Sequence, residues 1–101
     1  MDTEEIKIIW TKNAVADYRK IIVYLIRNWP DKVVVNFQET TQSKLKVLAK
    51  YPLTGIASQK ITDVRSVLIT KHNRLYYRFK NNFIEILRIL DTRQNPTKNP
   101  Y

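Results

Sequence analysis

The segment from Val64 to Arg93 constrains the fold most, because three runs of β-branched and aromatic residues alternate with two short turns. The turns are Lys71-His72-Asn73 and Asn81-Asn82. Asparagine tolerates the positive φ that two-residue hairpins require. The segment therefore predicts three consecutive antiparallel strands.

Side chains alternate between the two faces of such strands. Tight hairpins would place Arg78 opposite Glu85, and Tyr77 opposite both Ile86 and Leu68. We expect the mostly apolar face to carry the core; it holds Ser66, Leu68, Thr70, Leu75, Tyr77, Phe79, Ile84, Ile86, Arg88 and Leu90. We expect the other face to be basic and open; it holds Arg65, Val67, Ile69, Lys71, Arg74, Tyr76, Arg78, Lys80, Phe83, Glu85, Leu87 and Ile89.

Two helices are predicted before these strands. Thr11 is a plausible N-cap of the first, and Pro30 separates it from the second, which either Asn28 or Asp31 caps. Apolar residues recur at spacings of three and four, as on one face of a helix. In the first helix they are Ala14, Tyr18, Ile21, Ile22, Leu25, Ile26 and Trp29, and in the second Val33, Val34, Phe37, Thr41, Leu45 and Leu48. The carboxylates Asp17, Asp31 and Glu39 are interpreted as helix-surface or capping residues.

A short strand from Glu5 to Trp10 precedes the helices, so the order is β-α-α-β-β-β. The prediction is a single α+β domain over residues 1–101, with an antiparallel helical hairpin on one face of a mainly antiparallel, four-stranded twisted sheet. The partner of the first strand stays undetermined. Gly55, the single glycine, is assigned to a backbone conformation that other residues resist, and the tail from Thr92 to Tyr101 is expected to be irregular.

Composition excludes several classes of function. The chain has no cysteine and one histidine, and it contains no glycine-rich phosphate loop. The sequence therefore predicts neither a metal nor a cofactor. No apolar run reaches the length of a signal peptide or a membrane span, so we expect a cytoplasmic protein without a membrane partner.

Positive charge is concentrated in the strand half of the chain. The net charge is +9, and residues 60–101 carry nine of the 18 basic residues but three of the nine acidic ones. On the basic face, Arg65, Arg74, Arg78 and Lys80 are candidates for holding phosphates or a protein target, and Tyr76 for stacking on a base. A face that is basic for solubility, or that docks an acidic protein, remains the alternative.

Several short motifs, taken in order, resemble the RelE/ParE superfamily of toxins from bacterial type II toxin-antitoxin modules. The motifs span the chain; they are Trp10-Thr11 with Ala14 and Asp17, Tyr24 to Trp29, Leu48 with Tyr51-Pro52 and Gly55, Val64-Arg65, Arg74 to Arg78, and Ile86 to Asp91 followed by Arg93-Gln94-Asn95-Pro96. The resemblance implies the fold predicted above. It also implies a growth-inhibiting toxin that is inactive while bound to an acidic cognate antitoxin.

The superfamily divides by target. RelE-like members cut messenger RNA on the ribosome without a metal, whereas ParE-like members poison DNA gyrase. By resemblance, Arg93 falls on a catalytic arginine of the RelE branch, and Lys71 and Tyr101 lie near two further catalytic positions. A strand arginine of that branch falls at Ile69, and its tyrosine falls near Asn99. These departures favour a ParE-like inhibitor of gyrase; the alternatives are a metal-independent endoribonuclease and a non-toxic basic module that binds an acidic protein.

Overall fold

A computed structural model describes residues 6–101 and confirms the predicted α+β class. Its elements are β1 (Lys7–Trp10), α1 (Lys12–Asn28), α2 (Asp31–Lys50), β2 (Ile56–Ala57), β3 (Val64–Thr70), β4 (Asn73–Lys80), β5 (Phe83–Asp91) and a 3₁₀ turn (Pro96–Lys98). The strands form one five-stranded sheet in the order β1-β5-β4-β3-β2. The sheet has five strands instead of four, because the connecting segment adds β2 at the edge beside β3.

The first strand pairs with the last one in parallel, a partnership that the sequence left undetermined. Ile8 lies opposite Ile84 and Trp10 opposite Ile86. Glu5, where the predicted strand begins, lies outside the described residues. Beyond Trp10, where β1 ends, the N-cap residue of α1 contacts the edge of β5. The Thr11 hydroxyl donates to the carbonyls of Ile86 and Leu87, at 2.8 and 3.1 Å.

The β4–β5 hairpin has the predicted register up to Tyr77. Arg78 pairs with Glu85 and Tyr77 with Ile86. Asn81 and Asn82 both have positive φ, at 52° and 63°. The asparagine turn therefore sets the hairpin as its sequence predicts.

The predicted register between β3 and β4 is wrong by three residues. Val67 pairs with Leu75, and Arg65, not Leu68, pairs with Tyr77. The turn consists of Lys71-His72 alone, and a bulge between Leu68 and Thr70 shifts the pairing once more. Val67 and Ile69 therefore face the helices, and Ser66 and Leu68 lie on the other face.

A second bulge makes the side chains at the end of β5 lie on different faces from those predicted. The register shifts after Ile86, so that Arg88 lies opposite Tyr76 and Ile89 opposite Leu75. Ile89 joins the core under the helices, and Leu90 joins a cluster on the other face, the reverse of the predicted assignment.

The helical hairpin covers one face of the sheet largely as predicted. Thr11 caps α1 by accepting from the Ala14 amide, and α2 buries Val34, Phe37, Thr41, Leu45 and Leu48. Neither predicted cap of α2 is present: its N-cap is Pro30 with no side-chain bond, and the Asn28 side chain donates to Tyr24. Ile26 and Trp29 of the predicted stripe remain exposed beyond the edge of the core.

Gly55 is required for close packing, not for an unusual backbone conformation, because its φ is not positive. A Cβ there would lie 2.6 Å from the Tyr77 hydroxyl and 2.9 Å from the Ser66 carbonyl oxygen. The hydroxyl accepts from the Gly55 amide at 3.0 Å and donates to the Pro52 carbonyl at 2.6 Å. Gly55 thus lets the loop after α2 close against the sheet.

Replacing Gly55 with alanine is expected to lower the free energy of unfolding by about 1–3 kcal/mol, because the added methyl group overpacks this contact. Urea denaturation followed by tryptophan fluorescence measures the change. Gln59→Ala, at an exposed position nearby, is the control. An unchanged midpoint for Gly55→Ala would show that the loop relaxes freely.

Candidate functional site

The face of the sheet away from the helices carries a basic row on β4, made of Arg74, Tyr76, Arg78 and Lys80. These residues alternate with Leu75 and Tyr77, which are buried under the helices. Arg78 forms the predicted pair with Glu85 at 3.8 Å. The row therefore lies where the sequence placed it.

The middle of this face is covered by the tail, contrary to the prediction of an open face. The Tyr101 ring stacks on Tyr76 with centroids 4.9 Å apart and planes at 25°. The Asn99 side chain donates to the Tyr76 hydroxyl at 2.7 Å, and Ser58 donates to the Tyr101 carbonyl at 2.5 Å. The tail thereby completes a second apolar cluster with Val64, Leu90, Ile61 and Leu87.

Arg65 lies outside the basic row, at the edge of the sheet. Its register partner is Tyr77, and its guanidinium donates to the carbonyl oxygens of Gly55 and Leu53 at 2.9 and 3.3 Å. Arg65 thus holds the loop that follows α2. This geometry gives it a structural role at the sheet edge; its predicted role in target binding stays a proposal.

A cleft of about 630 Å³ opens between the helical hairpin and the ends of β3, β4 and β5. Tyr24, Trp29 and Phe37 are among its apolar walls, and Lys20 and Arg93 bring positive charge. Tyr24 and Trp29 are 58% and 53% exposed, so both present aromatic surface to solvent. The cleft thus combines apolar surface with a charged rim, formed by Lys20, Arg93 and the carboxylate of Asp91.

Arg93 is held at this rim by Asp91. Its Nη2 and Nε atoms lie 2.7 and 2.9 Å from the two carboxylate oxygens. The hydrogen bonds from Arg93 lower the pKa of Asp91 to about 2 and raise the pKa of Arg93. Arg93 therefore forms an ion pair with a neighbouring carboxylate, and most of its side chain remains exposed to solvent.

The three candidate catalytic residues do not converge. Arg93 lines the cleft beside the helices, whereas Tyr101 packs on the opposite face of the sheet. Lys71 lies exposed in the β3–β4 turn. Ile69, at the position of a cleaving relative's arginine, is buried in the main core.

The sequence interpretation of Asp17 as a helix-surface residue is wrong. Asp17 is buried, its two oxygens accept from Arg88 at 2.7 and 3.0 Å, and one also accepts from the Ile89 amide at 2.9 Å. Asp17 thus supplies β5 with an acceptor beyond the end of β1. Its spacing from Ala14 and Ile21 already placed it on the buried stripe of α1, a signal that could have identified it. The bond from Asp17 raises the pKa of Arg88.

A family sequence profile described as the ParE toxin of the type II toxin-antitoxin system, parDE, matches residues 8–96. The chain belongs to this ParE toxin family.

Solved toxin structures share the ParE-family fold at low sequence identity. A chain from the chromosomal ParDE system of P. aeruginosa superposes with a TM-score of 0.72 at 22% identity, covering 88% of this chain and 98% of that one. YoeB from Staphylococcus aureus gives 0.62 at 20% identity, covering 90% and 100%. The isolated RelE toxin of E. coli gives 0.61 at 12% identity, covering 91% and 89%. A search of curated proteins gave no significant match.

Metal centres and membrane-spanning helices are not found in the part of this ParE-family chain that the structure describes. Within residues 6–101, no three His, Asp or Glu side chains are grouped so that they could hold a metal ion. Neither α1 nor α2, the two long helices of this region, is apolar enough to cross a membrane. The cleft and the sheet face both combine charged with aromatic side chains.

Proposed function

We propose that this ParE-family chain inhibits growth in the cytoplasm by binding DNA gyrase, and that it does not cleave messenger RNA. The separation of Arg93 from Tyr101 carries this proposal, since catalysis requires the reacting groups to be held together around one substrate. An inhibitor that acts by binding needs no such convergence. The family match and the resemblance to ParE-like toxins support the choice of target.

The local contacts of the candidate catalytic residues also support a protein that does not cleave messenger RNA. Arg93 is bonded through three atoms to Asp91, and Tyr101 is stacked on Tyr76. Ile69 offers no charge for the developing negative charge of a phosphoryl transition state. We assign target binding to the basic row of β4 (Arg74, Tyr76, Arg78 and Lys80) together with the flanking Arg65.

Induced expression without an antitoxin is expected to arrest growth, and the purified protein is expected to inhibit supercoiling by gyrase. Arg93→Ala is expected to leave this inhibition unchanged within about twofold, because no catalytic step depends on the guanidinium. Supercoiling assays and cleavage assays on ribosome-bound message measure the two activities.

Two results would contradict the proposal. Cleavage of ribosome-bound message that is lost in Arg93→Ala would place the protein in the RelE-like branch. Normal growth with soluble, folded protein would favour a non-toxic module that binds an acidic protein.

We also propose that an acidic antitoxin neutralises the protein by placing an apolar segment in the cleft. Tyr24 and Trp29 offer exposed aromatic surface there, and Lys20 and Arg93 lie at its edge. Exposed aromatic groups beside cations suit a segment that combines apolar and acidic residues. The net charge of +9 favours an acidic partner over a basic one.

The affinity for this antitoxin is expected to fall as salt is raised from about 0.05 to 0.5 M, because ions screen exposed charges at the rim. Titration calorimetry at several salt concentrations measures the change in affinity, and stopped-flow mixing measures the association rate, on which the effect is expected to be largest. An affinity that does not change with salt would contradict the proposed role of the rim charges. It would not contradict the proposed apolar contacts.

A further inference from the structure

A groove of about 360 Å³ lies on the sheet face beside the folded tail. Lys60 and Arg74 line it together with Ser66, Tyr76 and Tyr101. No Asp or Glu is among the residues that line it, and Arg65 adds a further cation at its edge. The charged side chains that line the groove are therefore all cationic.

Arg74 and Lys60 differ from the three arginines that form ion pairs within the described chain. Arg78, Arg88 and Arg93 each lie within 4 Å of a carboxylate, at 3.8, 2.7 and 2.7 Å. Within residues 6–101, neither Arg74 nor Lys60 has a carboxylate at such a distance. Neither cation is therefore neutralised by an acidic side chain of the described residues.

The two cations are nonetheless held in place. Arg74 donates through Nη1 to the Ser66 hydroxyl at 3.0 Å, and the Lys60 ammonium donates to the Asn99 carbonyl at 2.6 Å. Each keeps further N–H groups for a ligand, since guanidinium has five and ammonium three. Fixed cations with free donors are suited to phosphate, which arginine binds through two parallel hydrogen bonds.

The remaining wall is aromatic. Tyr76 and Tyr101 form a stacked pair at 4.9 Å, and both line the groove. Tyr76 is buried, so the ring surface open to a base is that of Tyr101. Aromatic side chains stack on nucleobases with little preference for the base. The volume is near the lower limit of small-ligand pockets, about 300 Å³, and so suits one nucleotide better than a longer ligand.

We infer that this groove binds a free nucleoside phosphate, with Lys60 and Arg74 on the phosphate and Tyr101, supported from behind by Tyr76, beside the base. The tail supplies Tyr101 and, through Asn99, the contact that positions Lys60. Ligand binding and docking of the tail therefore stabilise each other. This site lies on the face opposite the cleft; it shares Arg65, Arg74 and Tyr76 with the surface assigned above to target binding, whereas Lys60 belongs to the groove alone.

Titration calorimetry on the full chain at low salt tests this inference, with ADP, inorganic phosphate and adenosine as probes. ADP is expected to bind more tightly than phosphate, which lacks the base, and adenosine, which lacks the charge. The double variant Lys60→Ala/Arg74→Ala is expected to weaken ADP binding at least about tenfold, because charged hydrogen bonds to the phosphate are lost.

The matched control is Lys44→Ala/Lys46→Ala, which removes the same charge from exposed positions on α2. It is expected to change ADP affinity less than about twofold. Equal weakening in both double variants would overturn the inference, because net charge alone would then account for binding. Absence of ADP binding to the unaltered protein would also overturn it.

Two further measurements separate nucleotide binding from a folding defect and from binding of a longer nucleic acid. Lys60→Gln alone, at an exposed position, is expected to weaken ADP binding at least about threefold, so the test stands even if Arg74→Ala fails to fold. A single-stranded decamer that binds more than about tenfold tighter than ADP through the same cations would overturn the mononucleotide assignment. Weakened ADP binding with intact growth arrest is expected for Lys60→Gln, so the two proposals can fail separately.

Discussion

Replacing Asp17 with alanine is expected to lower the free energy of unfolding by about 3 kcal/mol, the largest effect of any single substitution proposed for this chain. The change leaves the Arg88 guanidinium without its carboxylate and removes the acceptor of the Ile89 amide. The Asp17 side chain is 10% exposed and that of Arg88 36%, so water compensates the arginine only in part. Urea denaturation followed by tryptophan fluorescence measures the loss.

Asp91→Ala provides a matched control, because it removes another aspartate with a 2.7 Å contact to arginine. The Asp91 and Arg93 side chains are 38% and 66% exposed, so solvent screens the pair. Its stability at neutral pH is expected to match the unaltered protein. Equal destabilisation of the two variants would contradict the argument from burial.

The Asp91–Arg93 pair also has a defined pH range. The folded pKa of Asp91 is about 2, below the ordinary value of 3.8, so any stabilisation is complete above pH 3.8 and is lost as pH falls through 2. An NMR titration of the Asp91 carboxyl group is expected to show this depressed midpoint. A midpoint near 3.8 would show that the pair does not persist in solution.

The parts of the fold that were predictable are those set by neighbouring residues. Two asparagines with positive φ determine the β4–β5 turn, and its register follows by counting from them. The apolar stripe of α2 needs only the helical period. Such features depend only on the backbone preferences and spacing of residues close together in the sequence.

The register of β3 was not predictable in this way. The bulge near Ile69 inserts one residue, and no glycine marks it. Since one residue of shift moves every side chain to the other face, this single irregularity moved Arg65 away from the basic row. The sequence thus overestimated the number of cations on that face.

The candidate site was predictable in composition but not in arrangement. The row on β4 follows from alternation, whereas the stack of Tyr101 on Tyr76 joins residues 25 positions apart through a tail without regular pattern. The bond between Asp17 and Arg88 joins still more distant residues. Contacts of this kind depend on how the strands and the tail assemble, which the periodicity of the sequence does not predict.

Replacing both Tyr24 and Trp29 with alanine is expected to weaken antitoxin binding by about two orders of magnitude, because buried aromatic anchors dominate the energetics of interfaces. Both side chains line the cleft and are more than half exposed in the free protein. Their removal therefore takes little from the core. Titration calorimetry with the purified antitoxin measures the affinity, and growth under coexpression measures neutralisation.

Val47→Ala/Tyr51→Ala is the matched control, because these side chains are 47% and 59% exposed and lie outside the cleft, towards the other end of α2. It is expected to keep affinity within about threefold, since peripheral contacts contribute little. Equal weakening in both variants would show that the partner recognises exposed apolar surface generally. Full affinity of Tyr24→Ala/Trp29→Ala would place the antitoxin elsewhere, and the most direct alternative is the basic row of β4, where carboxylates would meet Arg74, Arg78 and Lys80.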